Sequence, residues 1–368
     1  MPNPTGDYLF ICLYSPAVWN LLGPIVIHDP DDPNNDLFDY EYVMTVSDWY
    51  HIPTGDPSML PTLFSANYQG IDPIPDSAEI SGVGQYNCSI PTCVPSKFAT
   101  YSVTKGKRYR FRIINISAMS HFWISIDEHP LTVIEVDGTP IHPVKVEMLP
   151  INSAQRYSVV VTANNAVGNY WIRAQLSGCS LPDNNFTINF NSPIFENGNI
   201  TGILRYEGAP PTNPTSVGYS TSVINCYDLD SSLMKPYPQN PPVPPKDANV
   251  TRLNFNVAIK QNPEHILEAT MNNSSFVSDL SYPTNQRVID GVGFISSDNA
   301  YPYYVLNGAV EIVINNTEPR THPFHMHGHE FWVIAQGDNN SYNKPLDTLT
   351  YNYDNPPLRD TATVKERG

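Results

Sequence analysis

The sequence predicts an all-β protein of sandwich architecture, on three observations. Short β-branched and aromatic runs bounded by Pro, Gly and Asn recur along the chain, as in Tyr157-Ser158-Val159-Val160-Val161-Thr162 and Tyr170-Trp171-Ile172-Arg173. That spacing of short strands and turn residues is the pattern of a β-sandwich. Few segments carry the sustained i, i+3, i+4 apolar repeat of an amphipathic helix. The 36 Pro and 22 Tyr point the same way, since proline breaks helix interiors while tyrosine suits a half-buried pleated surface. At 368 residues the chain has room for one to three domains, and 40% hydrophobic content is enough for a packed core.

Residues 1–40 end in the turn-rich run Asp29-Pro30-Asp31-Asp32-Pro33-Asn34-Asn35-Asp36. So short a segment does not make its own core, and is expected to pair against the next domain or to stay partly disordered. Within 41–207, Tyr109, Phe111 and Ile113 alternate with Arg108, Arg110 and Arg112. This is the signal of a half-buried strand whose three arginines lie on a solvated face, a reading preferred here to anion binding. Residues 208–250 are rich in Pro, Asn and Ser, including Lys235-Pro236-Tyr237-Pro238-Gln239-Asn240-Pro241-Pro242. They are expected to run extended and stiff, spacing the domains on either side.

The last part, 251–368, contains Thr321-His322-Pro323-Phe324-His325-Met326-His327-Gly328-His329, which holds four of the ten histidines. Imidazole is a common ligand of copper and zinc. Strand-type sequence flanks the run (Val310–Asn315 before, Phe331–Ile334 after), so as a strand it would place His325, His327 and His329 on one side. Pro323 forces His322 out of the α region, so the run is suited to aim imidazoles at two metal positions. The competing reading is a metal-free strand or an adventitious zinc or nickel site.

His-Pro-x-His-x-His-Gly-His resembles the signature of the multicopper oxidases, laccase-like enzymes built from cupredoxin domains. Further stretches resemble the same family in order: Gly6–Phe10 with Gly23–Pro30, Ser47-Asp48-Trp49-Tyr50-His51, Ile126–Gly138 around His129, and Asn355-Pro356-Pro357-Leu358-Arg359-Asp360-Thr361. The fungal laccase branch is the most similar. The resemblance implies cupredoxin-like Greek-key β-sandwich domains: 1–40 as the C-terminal remnant of domain 1, 41–207 as domain 2, 208–250 as a linker, and 251–368 as domain 3 lacking its closing strands. It implies His322 as a type 1 copper ligand, His325 as a type 2 ligand and His327 as a type 3 ligand; His329 matches the motif without being a copper ligand.

The implied activity is one-electron oxidation of phenols or related aromatics, coupled to four-electron reduction of O2 to water. The resemblance also marks what is not here. The family's His-Trp-His-Gly and His-Cys-His segments are absent from the 368 residues, and at the position of a further His-x-His pair stand Ile11 and Leu13. One imidazole does not make a blue-copper site, which needs a thiolate and two imidazoles. Two imidazoles do not assemble a three-copper cluster. This chain is therefore expected to be truncated at both ends and inactive as it stands. The alternatives are a copper-free binding or accessory protein of the same fold, and a metal-oxidising ferroxidase. The position where the family often carries a substrate-facing carboxylate aligns with Met119 or a neighbour, and no acid is evident there. Asp127, Glu128 and Glu135 are expected in strand and turn roles, His129 as a hydrogen-bonded structural histidine and His121 at the surface.

Net charge is −16, which argues against nucleic-acid or anionic-membrane partners. No run of 18 apolar residues occurs, and residues 1–20 lack a signal peptide. Nine sequons (Asn87, Asn115, Asn185, Asn199, Asn249, Asn272, Asn273, Asn315 and Asn339) lean toward a secreted glycoprotein. Of five cysteines, Cys88 with Cys93 and Cys179 with Cys226 are candidate pairs, although spacing does not fix connectivity. Cys12 is left as a buried thiol.

Overall fold

The structure is a computed structural model. It describes residues 6–11, 22–50, 75–86, 97–177, 200–219, 225–238, 242–244, 249–263, 267–276, 279, 281–295, 308–337, 341, 345 and 349–368. Cys12, Leu13, Cys88, Cys93 and Cys179 lie outside this set.

The chain opens on an antiparallel hairpin of β1 (Gly6–Ile11) and β2 (Leu22–Ile27). The turn over 28–39 is latched onto the next unit. Buried Asn34 donates to the carbonyls of Ile134 and Ile141 at 2.9 and 3.1 Å. Arg110 sits over the Phe38 ring and pairs with Asp32. Over its described residues 28–39 the segment pairs against the next unit, one of the two expectations for it.

The central unit comprises β3 (Tyr40–Trp49), β4 (Ser77–Ile80), β5 (Thr100–Val103), β6 (Arg108–Asn115), β7 (Phe122–Ile126), β8 (Leu131–Val136), β9 (Thr139–Val146), β10 (Leu149–Ile151), β11 (Arg156–Thr162), β12 (Asn169–Leu176) and β13 (Ile200–Tyr206). They form a six-stranded sheet, β4-β3-β6-β11-β8-β9, and a five-stranded sheet, β10-β7-β12-β13-β5. The pairs β3–β6 and β5–β13 are parallel among antiparallel neighbours, because the chain switches sheets between them. Period-two patterning fills the space between the sheets. Tyr170, Ile172, Ala174 and Leu176 of β12 are buried, while Trp171, Arg173 and Gln175 are half-exposed. Phe111, Ile113, Val159 and Val161 meet them from the other sheet. Each fully buried apolar side chain of this size stabilises by about 1.5–3 kcal/mol.

Two of the three arginines of β6 do not lie on a solvated face, while Arg108 at its start stays partly exposed. Arg110 and Arg112 are each 2% exposed. The 28–39 turn covers this side of a central strand, and buried guanidinium groups then require partners. Arg110 pairs with Glu135 and Asp32 and donates to Ser158 Oγ; Arg112 pairs with Glu41 at 3.0 Å.

The Pro-rich segment does not stand off as a spacer over its described part. His142 N donates to Lys235 O at 2.9 Å, Ile141 bridges to Pro236, and Leu229 and Met234 enter the sandwich core. An extended chain presents free backbone groups, and the open edge of β9 takes them up. Cys226 is buried and disulfide-bonded.

The third unit holds β14 (Val250–Gln261), β15 (Leu267–Met271), a helix α1 (Thr284–Ile289), β16 (Ala309–Asn316), β17 (His322–His325), β18 (Phe331–Trp332), β19 (Leu358–Arg359) and β20 (Thr361–Val364). Its described strands form a three-stranded sheet, β15-β14-β16, and two pairs, β17-β20 and β18-β19. Apolar side chains stay exposed here, among them Ile289, Val292, Val310 and Ile312.

Candidate metal centre

The histidine run enters as strand β17, paired with β20 so that His322 faces Val364 and His325 faces Thr361. The strand ends at His325. Gly328 turns the chain at φ +71°, a conformation that suits a residue without Cβ. His325, His327 and His329 therefore do not share a strand face as expected. The turn nevertheless brings two of them together: the rings of His325 and His327 lie 5.1 Å apart, tilted by 58°. His329 is exposed, its Nδ1 3.3 Å from the His327 carbonyl. His322 and His325 are three residues apart on one strand and leave it on opposite faces. His322 is half-buried with a buried Nε2.

His325 is held from behind. Its Nδ1 lies 3.0 Å from the Asp360 carbonyl oxygen, 2.9 Å from Thr361 Oγ1 and 3.4 Å from Asp360 Oδ1. Asp360 is gripped by Arg156 of β11 through two parallel bonds of 2.6 Å, a geometry that joins charge to fixed orientation. Arg156 N donates to Asp137 Oδ1 at 2.9 Å, and Asp137 Oδ2 accepts from Arg359 Nε at 2.8 Å. Asp228 closes the network: it accepts from Gln155 Nε2 and from Thr363 N and Oγ1, and lies 3.4 Å from Arg359. The ion pairs thus run from the central sandwich through the 225–238 segment to the strands that carry His325.

Burial opposes ionisation of Asp360, but hydrogen bonds from His325 and Arg156 outweigh it and hold the carboxyl well below the usual range. The Asp360 hydrogen bond in turn raises His325, against burial. Burial raises Asp137, with Arg359 and Arg156 opposing. None of these network residues carries a sequence signal for this role. Arg359-Asp360-Thr361 stood out only as a family-like stretch, and nothing local ties it to His325.

The remaining expected positions lie around the central sandwich. Met119 is half-exposed, in a turn whose backbone is fixed by buried Asp48, which accepts from the N–H groups of Ala118, Met119 and Ser120 at 3.0 Å each. His121 is not at the surface: it is 2% exposed, with Nδ1 2.6 Å from Ser177 Oγ, because the end of β12 closes over the start of β7. His129 is the structural histidine expected, bonded to the Asp127 carbonyl and to Tyr206 OH. Asp127 serves its turn by binding Arg173 and Ser216.

The chain belongs to the multicopper oxidase family. Two multicopper oxidase family profiles match it, over residues 40–209 and 261–368. It is 33% identical to a laccase of Trametes maxima over 99% of this chain and 66% of that protein. It is 34% identical to laccase-4 of Thanatephorus cucumeris over 97% of this chain and 63% of that protein. The crystal structure of the laccase from Botrytis aclada superposes with a TM-score of 0.76 at 27% identity, covering 99% of this chain and 64% of that one. The chain thus spans just under two thirds of the length of these relatives.

The family implies copper at type 1, type 2 and type 3 sites. His325 and His327 fit copper as a pair of adjacent imidazole donors, one braced through Nδ1 in the way metal-binding histidines are. Among the described residues no group of three His, Cys, Asp or Glu side chains completes a site around them. No helix of the described chain is long and apolar enough to cross a membrane.

Proposed function

We propose that this chain carries part of the catalytic apparatus of a laccase-type oxidase, which takes single electrons from phenols or related aromatics and delivers four of them to O2. In this reading His322 is a type 1 copper ligand, His325 a type 2 ligand and His327 a type 3 ligand. Bound copper supplies the one-electron redox chemistry. The residues of this chain supply two converging imidazoles, their orientation and a dry ionic support beneath them. The observation that carries the reading is the His325–His327 pair, set by the β17–β20 register and backed by Asp360.

The same residues limit what the 368-residue polypeptide does by itself. One type 1 imidazole and two cluster imidazoles are fewer donors than either centre needs, and Ile11 and Leu13 offer none. The polypeptide alone is expected to bind copper at His325 and His327 without blue colour and without turning over a phenol. The disulfide at Cys226 supports an oxidising compartment, and with the sequons an extracellular setting.

The test is copper analysis, visible absorption and oxygen uptake with 2,6-dimethoxyphenol on the purified chain. Stoichiometric blue copper with turnover would contradict the donor count. Absence of copper binding, unchanged in a His325→Gln/His327→Gln variant, would favour a copper-free binding role instead.

A further inference from the structure

Each described polar neighbour of His325 Nδ1 is an acceptor. The Asp360 backbone carbonyl at 3.0 Å has only lone pairs. The Asp360 carboxylate at 3.4 Å accepts from Arg156 through both of its oxygens, and so presents lone pairs to its neighbours. Thr361 Oγ1 has one hydrogen, which it donates to Asp360 Oδ1 at 2.8 Å, so towards the imidazole at 2.9 Å it too presents a lone pair. Three acceptors around one ring nitrogen place the proton there. In the neutral ring the lone pair is then on Nε2, the nitrogen directed away from Asp360.

We propose that Arg156 and Asp360 are positioning residues for His325: they fix its Nδ1–H tautomer and ring orientation, so that a residue of the central sandwich sets the metal-binding nitrogen of a histidine in the third unit. Arg156 stands on β11 and His325 at the end of β17, and the Asp360 carboxylate joins them across the boundary between the two units. Arg156 is fixed in turn, since its side chain also donates to the carbonyls of Ala154 and Asp137. A clamp with so little freedom transmits orientation to the ring. Docking of the two units and readiness of the imidazole are then one event: an undocked third unit leaves His325 free to rotate and to exchange tautomers. The inference rests on the reading of His325 as a copper ligand.

The test uses the whole 368-residue chain labelled with 15N-histidine, with His325 assigned by its loss in His325→Gln. Long-range 1H–15N correlations at about pH 8, above the ordinary histidine range, report the tautomer, and Cu(II) titration of the same samples reports affinity. The wild type is expected to show His325 as the Nδ1–H form. Arg156→Gln is expected to give a tautomer mixture and about 10–100-fold weaker Cu(II) binding. Thr361→Val keeps the ion pair and guards against a misfolded Arg156 variant; it is expected to shift the tautomer the same way, and Thr361→Ser to restore it. An Nε2–H tautomer in the wild type, or unchanged tautomer and affinity in both Arg156→Gln and Thr361→Val, would overturn the proposal. A wild-type Nδ1–H tautomer with no Cu(II)-induced change at His325 or His327 would instead overturn the copper assignment.

Discussion

Replacing His121 with Asn should make the central sandwich markedly less sensitive to acid. His121 is 2% exposed, and burial lowers its pKa from 6.5 to about 4, with the nearby Asp228 carboxylate opposing. Nδ1 lies 2.6 Å from Ser177 Oγ, and burial of the ring favours its neutral form, with Asp228 and the backbone of Tyr227 opposing too weakly to reverse this. The unfolded chain protonates this histidine near pH 6.5 and the folded chain only near 4. Its contribution to stability is therefore complete above about pH 6.5 and is lost as pH falls toward 4. At about 1.36 kcal/mol per pH unit the full swing is worth about 3.4 kcal/mol, of which about 2 kcal/mol is gone by pH 5.

Asn reproduces the Nδ1 position and does not titrate. Its cavity cost is the same at every pH and cancels when each protein is compared with itself. Urea unfolding at about pH 7 and pH 5 is the assay. At a slope near 2 kcal/mol per M, the wild-type midpoint should fall by about 1 M more than that of the variant. His129 is lowered by burial too, but is common to both proteins and drops out of the difference. Equal midpoint shifts in the two proteins, or an NMR titration of His121 centred near its ordinary value, would refute the reasoning.

Three further outcomes concern buried polar groups. Arg359→Met removes one of the two cationic partners of Asp137 and a neighbour of Asp228 inside the boundary between the units, and should cost about 3 kcal/mol in urea unfolding; an unchanged midpoint would mean that solvent reaches this network. Asn34→Ala strands the carbonyls of Ile134 and Ile141 and should cost about 1–3 kcal/mol, with faster amide exchange across the 28–39 turn. Asp48→Ala leaves three backbone donors of the 118–120 turn without their acceptor and should cost about 3 kcal/mol or more, with loss of proteolytic protection confined at first to that turn.

Strand identity was readable locally wherever one face is buried. The alternation of Tyr109, Phe111 and Ile113 marks β6, and Tyr170–Arg173 falls within β12. Alternation says which residues share a face but not what covers the other one. The same pattern that located β6 therefore misplaced Arg110 and Arg112 in solvent, since the cover arrives from residues 28–39, remote in sequence. His121 was misread for the same reason, its cover coming from Ser177 and the 225–238 segment. Proline content suggested a stiff spacer over 208–250, but an extended chain beside an unpaired strand edge is held against it by backbone hydrogen bonds.

The candidate centre divides along the same line. The spacing of His322, His325 and His327 singled out imidazoles as candidate metal donors, because ligand chemistry resides in side-chain identity. Composition and strand periodicity likewise determined an all-β sandwich, since they report how each short segment meets a core. Tertiary structure alone decided that the strand ends at His325 and turns at Gly328, that His327 comes to rest beside it, and that Asp360 and Arg156 stand behind it. Arg156 and Asp360 are 204 residues apart in the chain, and an ion pair depends on distance in space, which local pattern does not encode.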